Sequence, residues 1–357
     1  MMLAGILGRL PMGMVGLGLT LLIVSQAGSY AVAGAVTATM TISLAIIGPY
    51  NARLVDRIGQ RRAIPLLLAV HVSAFLLLAA AVSFNWPTAT WFLLAALAGS
   101  SAPNLGAMTR ARWVGIARSG SERSSAFAVE SVADELSFVV GPVIASTLAI
   151  AVAPTAPILV GMLALTIGGL WLAAQRRTAP ALSGSSGAPR PKGHVVRTPG
   201  LGSLFLVMLA MGAMFGALHV SVVAYSQATA PALTGVLLAA MSCGSLLSGI
   251  ALGATTRRWT LTNQVRLGTV TLTAAILPLA FIGAPMAFAG MAFLLGLNFS
   301  VVMIGSFGLA ERMTPRPRIT EGLALMGSGL SLGLAAGTAL AGVIIDAAGA
   351  SLALGLA

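Results

Sequence analysis

Charged residues are scarce in this sequence, and acidic residues are the scarcest. Only 8% of the 357 residues are charged, and eight Asp and Glu face twenty Lys and Arg. An ordinary soluble domain has about 25% charged residues. With 57% hydrophobic residues, a soluble fold of this length could not bury its apolar surface. The composition therefore excludes a soluble globular protein and predicts an integral membrane protein.

Residues that form cross-links or bind metals are also nearly missing. Cys243 is the only cysteine, which excludes a disulfide within the chain and a multi-cysteine metal site. The three histidines do not have the spacing of metal ligands. The sequence also contains no phosphate-binding Gly-x-x-x-x-Gly-Lys loop and no recognisable pairing of nucleophile and base. We expect no metal, no cofactor and no enzymatic activity.

Long apolar runs are abundant instead. A helix needs about 20 apolar residues to cross a bilayer. Runs of this length lie near residues 8–27, 30–51, 63–83, 88–109, 125–151, 155–175, 200–225, 231–254, 264–283, 286–309 and 320–345. A further run begins near 349 and stops at Ala357, which is too short to cross at ~1.5 Å per residue. The sequence predicts an all-α membrane protein of eleven spans with a truncated twelfth.

The basic residues mark one side of the membrane. They precede the first span or follow spans two, four, six, eight and ten, and the alternate loops contain none. Lys and Arg in short loops indicate the cytoplasmic side, so the N-terminus is predicted to be cytoplasmic. The net charge of +12 is then a topology signal, and we expect no nucleic-acid partner. The Arg-, Ala- and Gly-rich composition favours a bacterial inner-membrane protein, which we expect to be a monomer.

Two similar halves flank the one long polar segment. Residues 176–199 are rich in Pro, Gly and Ser and read as a flexible cytoplasmic linker. Matching residues occupy corresponding positions on either side of it: Arg57 and Arg257, Arg112 and Arg312, Glu122 and Glu321. We therefore divide the chain into a six-span half at 1–175, the linker at 176–199 and a second half at 200–357. Parallel repeats of this kind place a transport pathway between two halves.

The loop between spans two and three carries a distinctive pattern. Residues 51–65 read NARLVDRIGQRRAIP, which resembles the signature loop of the major facilitator superfamily, Gly-x-Leu-Ala-Asp-Arg-x-Gly-Arg-Lys. The matching residues are Leu54, Asp56, Arg57, Gly59 and Arg62, with Arg61 alongside. Ala52 replaces the leading glycine and Gln60 replaces the first basic residue. The resemblance implies the fold of that family, with two six-helix pseudo-repeats, and secondary active transport by alternating access.

The resemblance also implies a role for this loop. In the family, the loop is thought to hold the cytoplasmic side closed against span eleven. A cytoplasmic gate would then involve Asp56, Arg57, Gly59, Arg61 and Arg62, with Glu321 at the start of span eleven as a partner. The alternative is that these charges serve topology and lipid anchoring alone.

The fifth span is similar to a motif of the family's antiporters. SFVVGPVIAS at 137–146 matches Gly-x-x-x-Gly-Pro-x-x-Gly-Gly at Gly141 and Pro142, and the other glycines are replaced by small residues. Pro142 is expected to kink the helix, and the small residues would allow close packing. The similarity favours export over import.

Three acidic residues precede this motif in the same span. Glu130 is predicted about 8 Å into the membrane, and Asp134 and Glu135 about 14 Å. Glu130 and Asp134 share a helix face, whereas Glu135 lies about 100° further round. We expect Glu130 to pair with Arg110 or Arg112 at the end of span four. A carboxyl group removed from water binds a proton more readily, so Asp134 or Glu135 is predicted to carry a proton or cation. Structural ion pairs throughout are the alternative.

Other polar residues inside the spans are weaker candidates. His219, Asn104 and Asn298 could line the pathway, and packing or interhelical hydrogen bonding explains them equally well. Gly329, Gly333 and Gly337 form a stripe on span eleven that predicts close helix packing.

Together these features predict a proton-coupled exporter of small amphipathic or drug-like molecules, with substrate, protons and lipid as its only partners. One alternative is a proton-coupled metabolite importer or facilitator. Another is a non-transporting remnant, or a membrane sensor on the same scaffold.

Overall fold

The structure is a computed structural model that describes residues 1–117, 119–179, 198–254, 260–276, 278–279, 282, 284–314 and 319–349. Every regular element within these ranges is helical. This confirms the all-α fold predicted from the sequence. Residues 180–197 of the linker, the second-half counterpart of the signature loop around Arg257 and the last eight residues lie outside the described ranges. The predictions made for them stay predictions.

Eight α-helices come before the linker. Their bounds are α1 Met2–Arg9, α2 Pro11–Ala27, α3 Tyr30–Ile58, α4 Gln60–Ser83, α5 Thr88–Ser100, α6 Leu105–Ile116, α7 Gly120–Ala151 and α8 Ala156–Ala174. A 3-10 turn at Arg176–Thr178 follows α8.

Five α-helices follow the linker. Their bounds are α9 Leu201–Thr229, α10 Thr234–Ala254, α11 Leu261–Ile276, α12 Pro285–Met313 and α13 Ile319–Ala348. A 3-10 turn at Pro231–Leu233 leads into α10.

Most of the predicted spans form helices that could cross a membrane. Within the described ranges, nine helices, counting α1 and α2 as one, have the necessary length and hydropathy. The fourth predicted span is instead divided between α5 and α6, because Pro103 follows a bend at Ser101 and interrupts the helix. The ninth predicted span corresponds to α11, whose described helix has only 16 residues.

The first span also differs from the prediction. The helix begins at Met2 rather than near residue 8, and Pro11 separates α1 from α2 at Leu10. Proline is favourable at the first position of a helix because its missing N–H would have no partner there. Arg9 therefore lies within the helical run and not in an aqueous N-terminal segment.

The described chain forms two compact units. The first contains 1–28 and 39–186, and the second contains 29–38 and 187–357. Helix α3 belongs to both, because its first residues pack with the second unit and the rest with the first.

Within each unit, glycines allow helices to touch backbone to backbone. A side chain on Gly141 of α7 would meet the backbone of Gly13 on α2 at 2.8 Å. Gly333 and Gly337 of α13 lie in the same way against Leu209 and Ala213 of α9. The predicted packing role of the span-eleven stripe is therefore confirmed. Pro142 lies inside the continuous helix α7.

Candidate functional site

A buried arginine forms the centre of a polar cluster in the first unit. Arg9, the last residue of α1, has a side chain that is 1% exposed. Its Nε donates a hydrogen bond of 3.0 Å to the carbonyl oxygen of Gly5 one turn earlier. This bond holds the guanidinium against its own helix and leaves both terminal nitrogens free to bond elsewhere.

Glu130 on α7 accepts hydrogen bonds from three side chains. Arg9 Nη2 contacts Oε2 directly, and Thr109 Oγ1 donates to the same oxygen at 2.8 Å. Trp113 Nε1 donates to Oε1 at 2.8 Å. Glu130 is 2% exposed. Its carboxylate therefore joins α1, α6 and α7 in a buried network of hydrogen bonds.

Asp134 lies one helical turn further along α7 on the same face. Arg9 Nη1 donates to its Oδ1 at 2.9 Å, and Arg110 Nη2 donates to its Oδ2 at 2.6 Å. Asp134 is 23% exposed and Arg110 is 32% exposed. This pair therefore forms the partly exposed edge of the cluster, whereas Glu130 is buried in its interior. The two carboxylates share one face, as their i, i+4 spacing predicts.

Glu135 differs from its two neighbours. Its side chain is half-buried, and among the described residues no hydrogen bond or ion pair reaches it. The two arginines of the cluster already balance Glu130 and Asp134. Glu135 is therefore the acid left without a compensating cation in the described part of the cluster.

The expected pairing of Glu130 with Arg110 or Arg112 is wrong. Arg9 takes that place, and Arg110 binds Asp134. Successive residues on a helix are rotated by 100°, so the face of α6 that carries Thr109 and Trp113 meets Glu130. Arg112 points elsewhere, because it lies on a different side of that helix.

Arg112 is buried among neutral oxygen atoms. Its side chain has no exposed surface, and its Nε donates to Gln60 Oε1 at 2.7 Å. Its Nη1 donates to the carbonyl oxygen of Gln175 at 3.1 Å and to Thr178 Oγ1 at 2.9 Å. The arginine thus fastens α6 to the start of α4 and to the end of α8.

This contact gives a physical reason for one departure from the signature loop. Gln60 stands where the motif has a basic residue. Its amide oxygen accepts from Arg112 while its amide nitrogen donates to the carbonyl oxygen of Met108 at 3.0 Å. A basic side chain has no acceptor to offer a buried arginine.

The charged residues of the signature loop lie in water. Asp56, Arg57, Arg61 and Arg62 are all exposed. Gly59 makes the turn between α3 and α4 with a φ of 82°, a conformation that glycine adopts most readily. The side chain of Glu321 lies outside the described part of the chain, so the proposed gate stays a prediction.

Two of the three remaining polar candidates have hydrogen-bond partners among the described residues. Asn104 caps α6 by accepting from the backbone N–H of Ala107 at 2.9 Å. Asn298 on α12 accepts from Thr271 Oγ1 of α11 at 2.7 Å, which is the interhelical bond considered for it. His219 is half-buried on α9, and no described residue forms a hydrogen bond with it.

Arg9 and Trp113 were missed at the sequence level. In the sequence, Arg9 is one of the basic residues that indicate topology, and Trp113 stands in no recognisable motif. An arginine two residues before a proline inside a longer apolar run is the signal that could have identified Arg9, since intramembrane charges usually pair with one another. No comparable signal marks Trp113.

A comparison with the sequence profiles of known families identifies one family. Residues 1–286 match the sequence profile of the Major Facilitator Superfamily. A comparison with curated protein sequences finds no match.

Solved structures share the fold across almost the whole chain. The nucleoside transporter NupG superposes with a TM-score of 0.76 at 11% identity, covering 99% of this chain and 93% of that one. The human organic anion transporter MFSD10 (TETRAN) gives 0.66 at 18% identity, covering 99% and 94%. A bacterial homologue of the human lysosomal transporter Spinster, inward-facing and occupied, gives 0.72 at 15% identity, covering 97% and 80%.

Proposed function

The chain belongs to the major facilitator superfamily, and we propose that it exports small amphipathic molecules in exchange for protons, with Glu135 as the proton-binding group. As a multi-pass membrane transporter it binds small molecules within the membrane. The proposal consists of three claims, which the experiment below tests: export, proton coupling and the role of Glu135.

The unpaired state of Glu135 carries the proposal. A charged side chain inside a bilayer costs a few kcal/mol or more. Glu130 and Asp134 avoid this cost through Arg9 and Arg110. Glu135 has no such cation among the described residues, and binding a proton is the simplest way for it to become neutral. A group that is neutral in one conformation and charged in the other couples proton binding to the conformational change.

The arrangement disfavours the two neighbouring acids as proton carriers. A proton on Glu130 would remove the charge that strengthens its hydrogen bonds from Arg9, Thr109 and Trp113. Asp134 would give up two arginine partners. We therefore propose Glu135 rather than Asp134 as the proton carrier, a choice that the sequence alone leaves open.

Export is supported by the similarity of the Gly141–Pro142 region to the antiporter motif and by the apolar character of the spans. By the same sequence arguments we propose a bacterial inner-membrane location, a cytoplasmic N-terminus and a monomer. Two structural neighbours are named as nucleoside and organic anion transporters, so import or facilitated passage of a metabolite is the second candidate. The partly exposed Arg110 beside Asp134 is the feature that would favour an anionic metabolite.

The experiment is transport of a fluorescent amphipathic cation in proteoliposomes under an imposed pH gradient. We expect gradient-driven transport by the wild type and loss of at least about nine-tenths of it in Glu135→Gln, because the amide cannot take up a proton. Exchange of labelled for unlabelled dye without a gradient should survive, since that reaction needs no net proton movement.

The matched control is Glu311→Gln, an acid-to-amide change at an exposed position, which should transport like the wild type. If Asp134→Asn lost the gradient-driven component and Glu135→Gln kept it, the proton would belong to Asp134. Uptake of a nucleoside or an organic anion without any dye movement would favour the metabolite transporter. Absence of all transport would favour the sensor or remnant.

A further inference from the structure

Arg112 carries a buried charge that no acidic side chain compensates among the described residues. Its side chain has no exposed surface, and the ion pairs of the described chain join only Arg9 and Arg110 to acids. The atoms that accept from Arg112 are an amide, a carbonyl and a hydroxyl oxygen. Arginine keeps its proton in proteins, so deprotonation cannot remove this charge as it can for a buried lysine.

One nitrogen of this guanidinium is also unused. Nη2 of Arg112 is buried and has no hydrogen-bond partner among the described residues, whereas Nε and Nη1 bond to Gln60, Gln175 and Thr178. A buried charged group that lacks a partner is strongly unfavourable. Nη2 therefore offers two N–H donors and a positive charge to an anion.

A basic turn lies against Arg112. The 3-10 turn Arg176–Thr178 brings Thr178 Oγ1 to 2.9 Å from Arg112 Nη1, and Thr178 is only half-buried. Arg176 and Arg177 precede it on the same turn and are exposed. The linker that follows cannot supply a carboxylate side chain, since residues 180–197 contain no acid. The surroundings of Arg112 on this side thus add positive charge and the Thr178 hydroxyl, which can itself donate a hydrogen bond.

The position of the turn matches the level of lipid head groups. The turn follows the end of α8, and Trp171 in the last turn of that helix is 46% exposed. Tryptophan is enriched where a membrane meets water, and arginine side chains near helix ends extend toward the same interface. A phospholipid in the adjacent leaflet would therefore present its phosphate beside the turn.

We propose that Arg112, Thr178 and the two arginines of this turn form a binding site for a phosphate group, carried by a phospholipid head group or by a soluble phosphate. A phosphate has several acceptor oxygens and matches guanidinium donors in geometry and charge. It can therefore bond to donors that approach from different elements. The site lies within the first unit, and the inference depends neither on Glu135 nor on the direction of transport.

Gln60→Glu tests the site without removing any of its donors. Because Gln60 Oε1 lies 2.7 Å from Arg112 Nε, the new carboxylate would supply the negative charge from within the protein. The probe is octyl phosphate, titrated into the purified protein in a non-ionic detergent and followed by isothermal titration calorimetry. We expect the wild type to bind and Gln60→Glu to raise the dissociation constant at least about tenfold. Gln26→Glu, the same change at an exposed position on α2, should bind like the wild type.

A second variant leaves the buried residues intact. Arg176→Gln/Arg177→Gln changes exposed side chains only and should weaken binding at least about threefold, because the phosphate loses two positive charges. Arg266→Gln/Arg312→Gln removes two exposed arginines from the second unit and should leave the dissociation constant unchanged.

Two further ligands identify what is bound. Octanoate has a chain of the same length on a carboxylate, and it should bind the wild type more weakly because it has fewer acceptor oxygens and less charge. Inorganic phosphate that binds as tightly as octyl phosphate would support the site with a soluble ligand, and weaker binding would support a lipid. The proposal fails if the wild type does not bind octyl phosphate, if octanoate binds equally well, or if Gln60→Glu binds no more weakly than Gln26→Glu.

Discussion

Replacing Arg9 with methionine is expected to destabilise the protein more than any other single change in the polar cluster. Methionine fills a similar volume, but it leaves Glu130 buried at 2% exposure with its charge uncompensated. Removing one partner of a buried ion pair costs about 3–5 kcal/mol. Asp134 would lose one of its two arginines as well. We expect a sharp fall in folded, monodisperse protein after detergent extraction, measured by fluorescence-detected size-exclusion chromatography.

A second substitution shows whether the charge is responsible. Adding Glu130→Gln to Arg9→Met removes the uncompensated carboxylate and should recover a substantial part of the lost stability. Non-additivity of this kind is expected for residues in direct contact. Arg110→Met serves as the comparison, because Arg110 is 32% exposed and bonds only the outer acid, and it should be far milder. Equal damage from Arg9→Met and Arg110→Met would mean that the buried charge is not what matters.

The second large effect is expected at Gln60. Gln60→Lys restores the basic residue of the family motif, yet here it places an ammonium group against Arg112. Arg112 has no exposed surface, and Gln60 is 6% exposed, so neither cation can move into water. The lysine also removes the acceptor for Arg112 Nε, and a buried charge without partners is strongly unfavourable. We expect the melting temperature to fall by about 5–10 °C, as measured by thiol-reactive dye or light scattering.

Gln60→Glu is the informative counterpart. It keeps the acceptor for Arg112 and adds an opposite charge, although it gives up the bond to the Met108 carbonyl. We expect its melting temperature to stay close to that of the wild type. If lysine and glutamate at this position were equally tolerated, the contact with Arg112 would have no energetic importance.

Hydropathy was sufficient to predict the class of the molecule and most of its helices. The apolar runs are long, and in a bilayer the backbone must satisfy its own hydrogen bonds, which leaves a helix as the available structure. Spacing was sufficient to place Glu130 and Asp134 on one face of α7. It also predicted the close packing of Gly333 and Gly337, because small residues at this spacing let backbones meet.

The partners of the charges could not be predicted in the same way. A hydropathy pattern gives the length of a helix but not its rotation about its axis. The rotation of α6 brings Thr109 and Trp113 against Glu130 and directs Arg112 to Gln60 instead. Arg9 was misplaced because the helix starts before the apolar run becomes obvious. The interruption at Pro103 was likewise hidden within a run of sufficient length. The partners of the charges depend on tertiary contacts, which a single sequence does not encode locally.

The hydrogen bond from Trp113 to Glu130 has a practical consequence for spectroscopy. The indole lies 2.8 Å from a carboxylate oxygen, and a charge at that distance shifts the energy of the excited ring. The chain has five tryptophans, so replacing the other four with phenylalanine would leave Trp113 as the single tryptophan, which can be excited selectively at wavelengths where tyrosine does not absorb. In purified protein reconstituted into liposomes, its emission would then follow rearrangement of the cluster in real time, with no attached label.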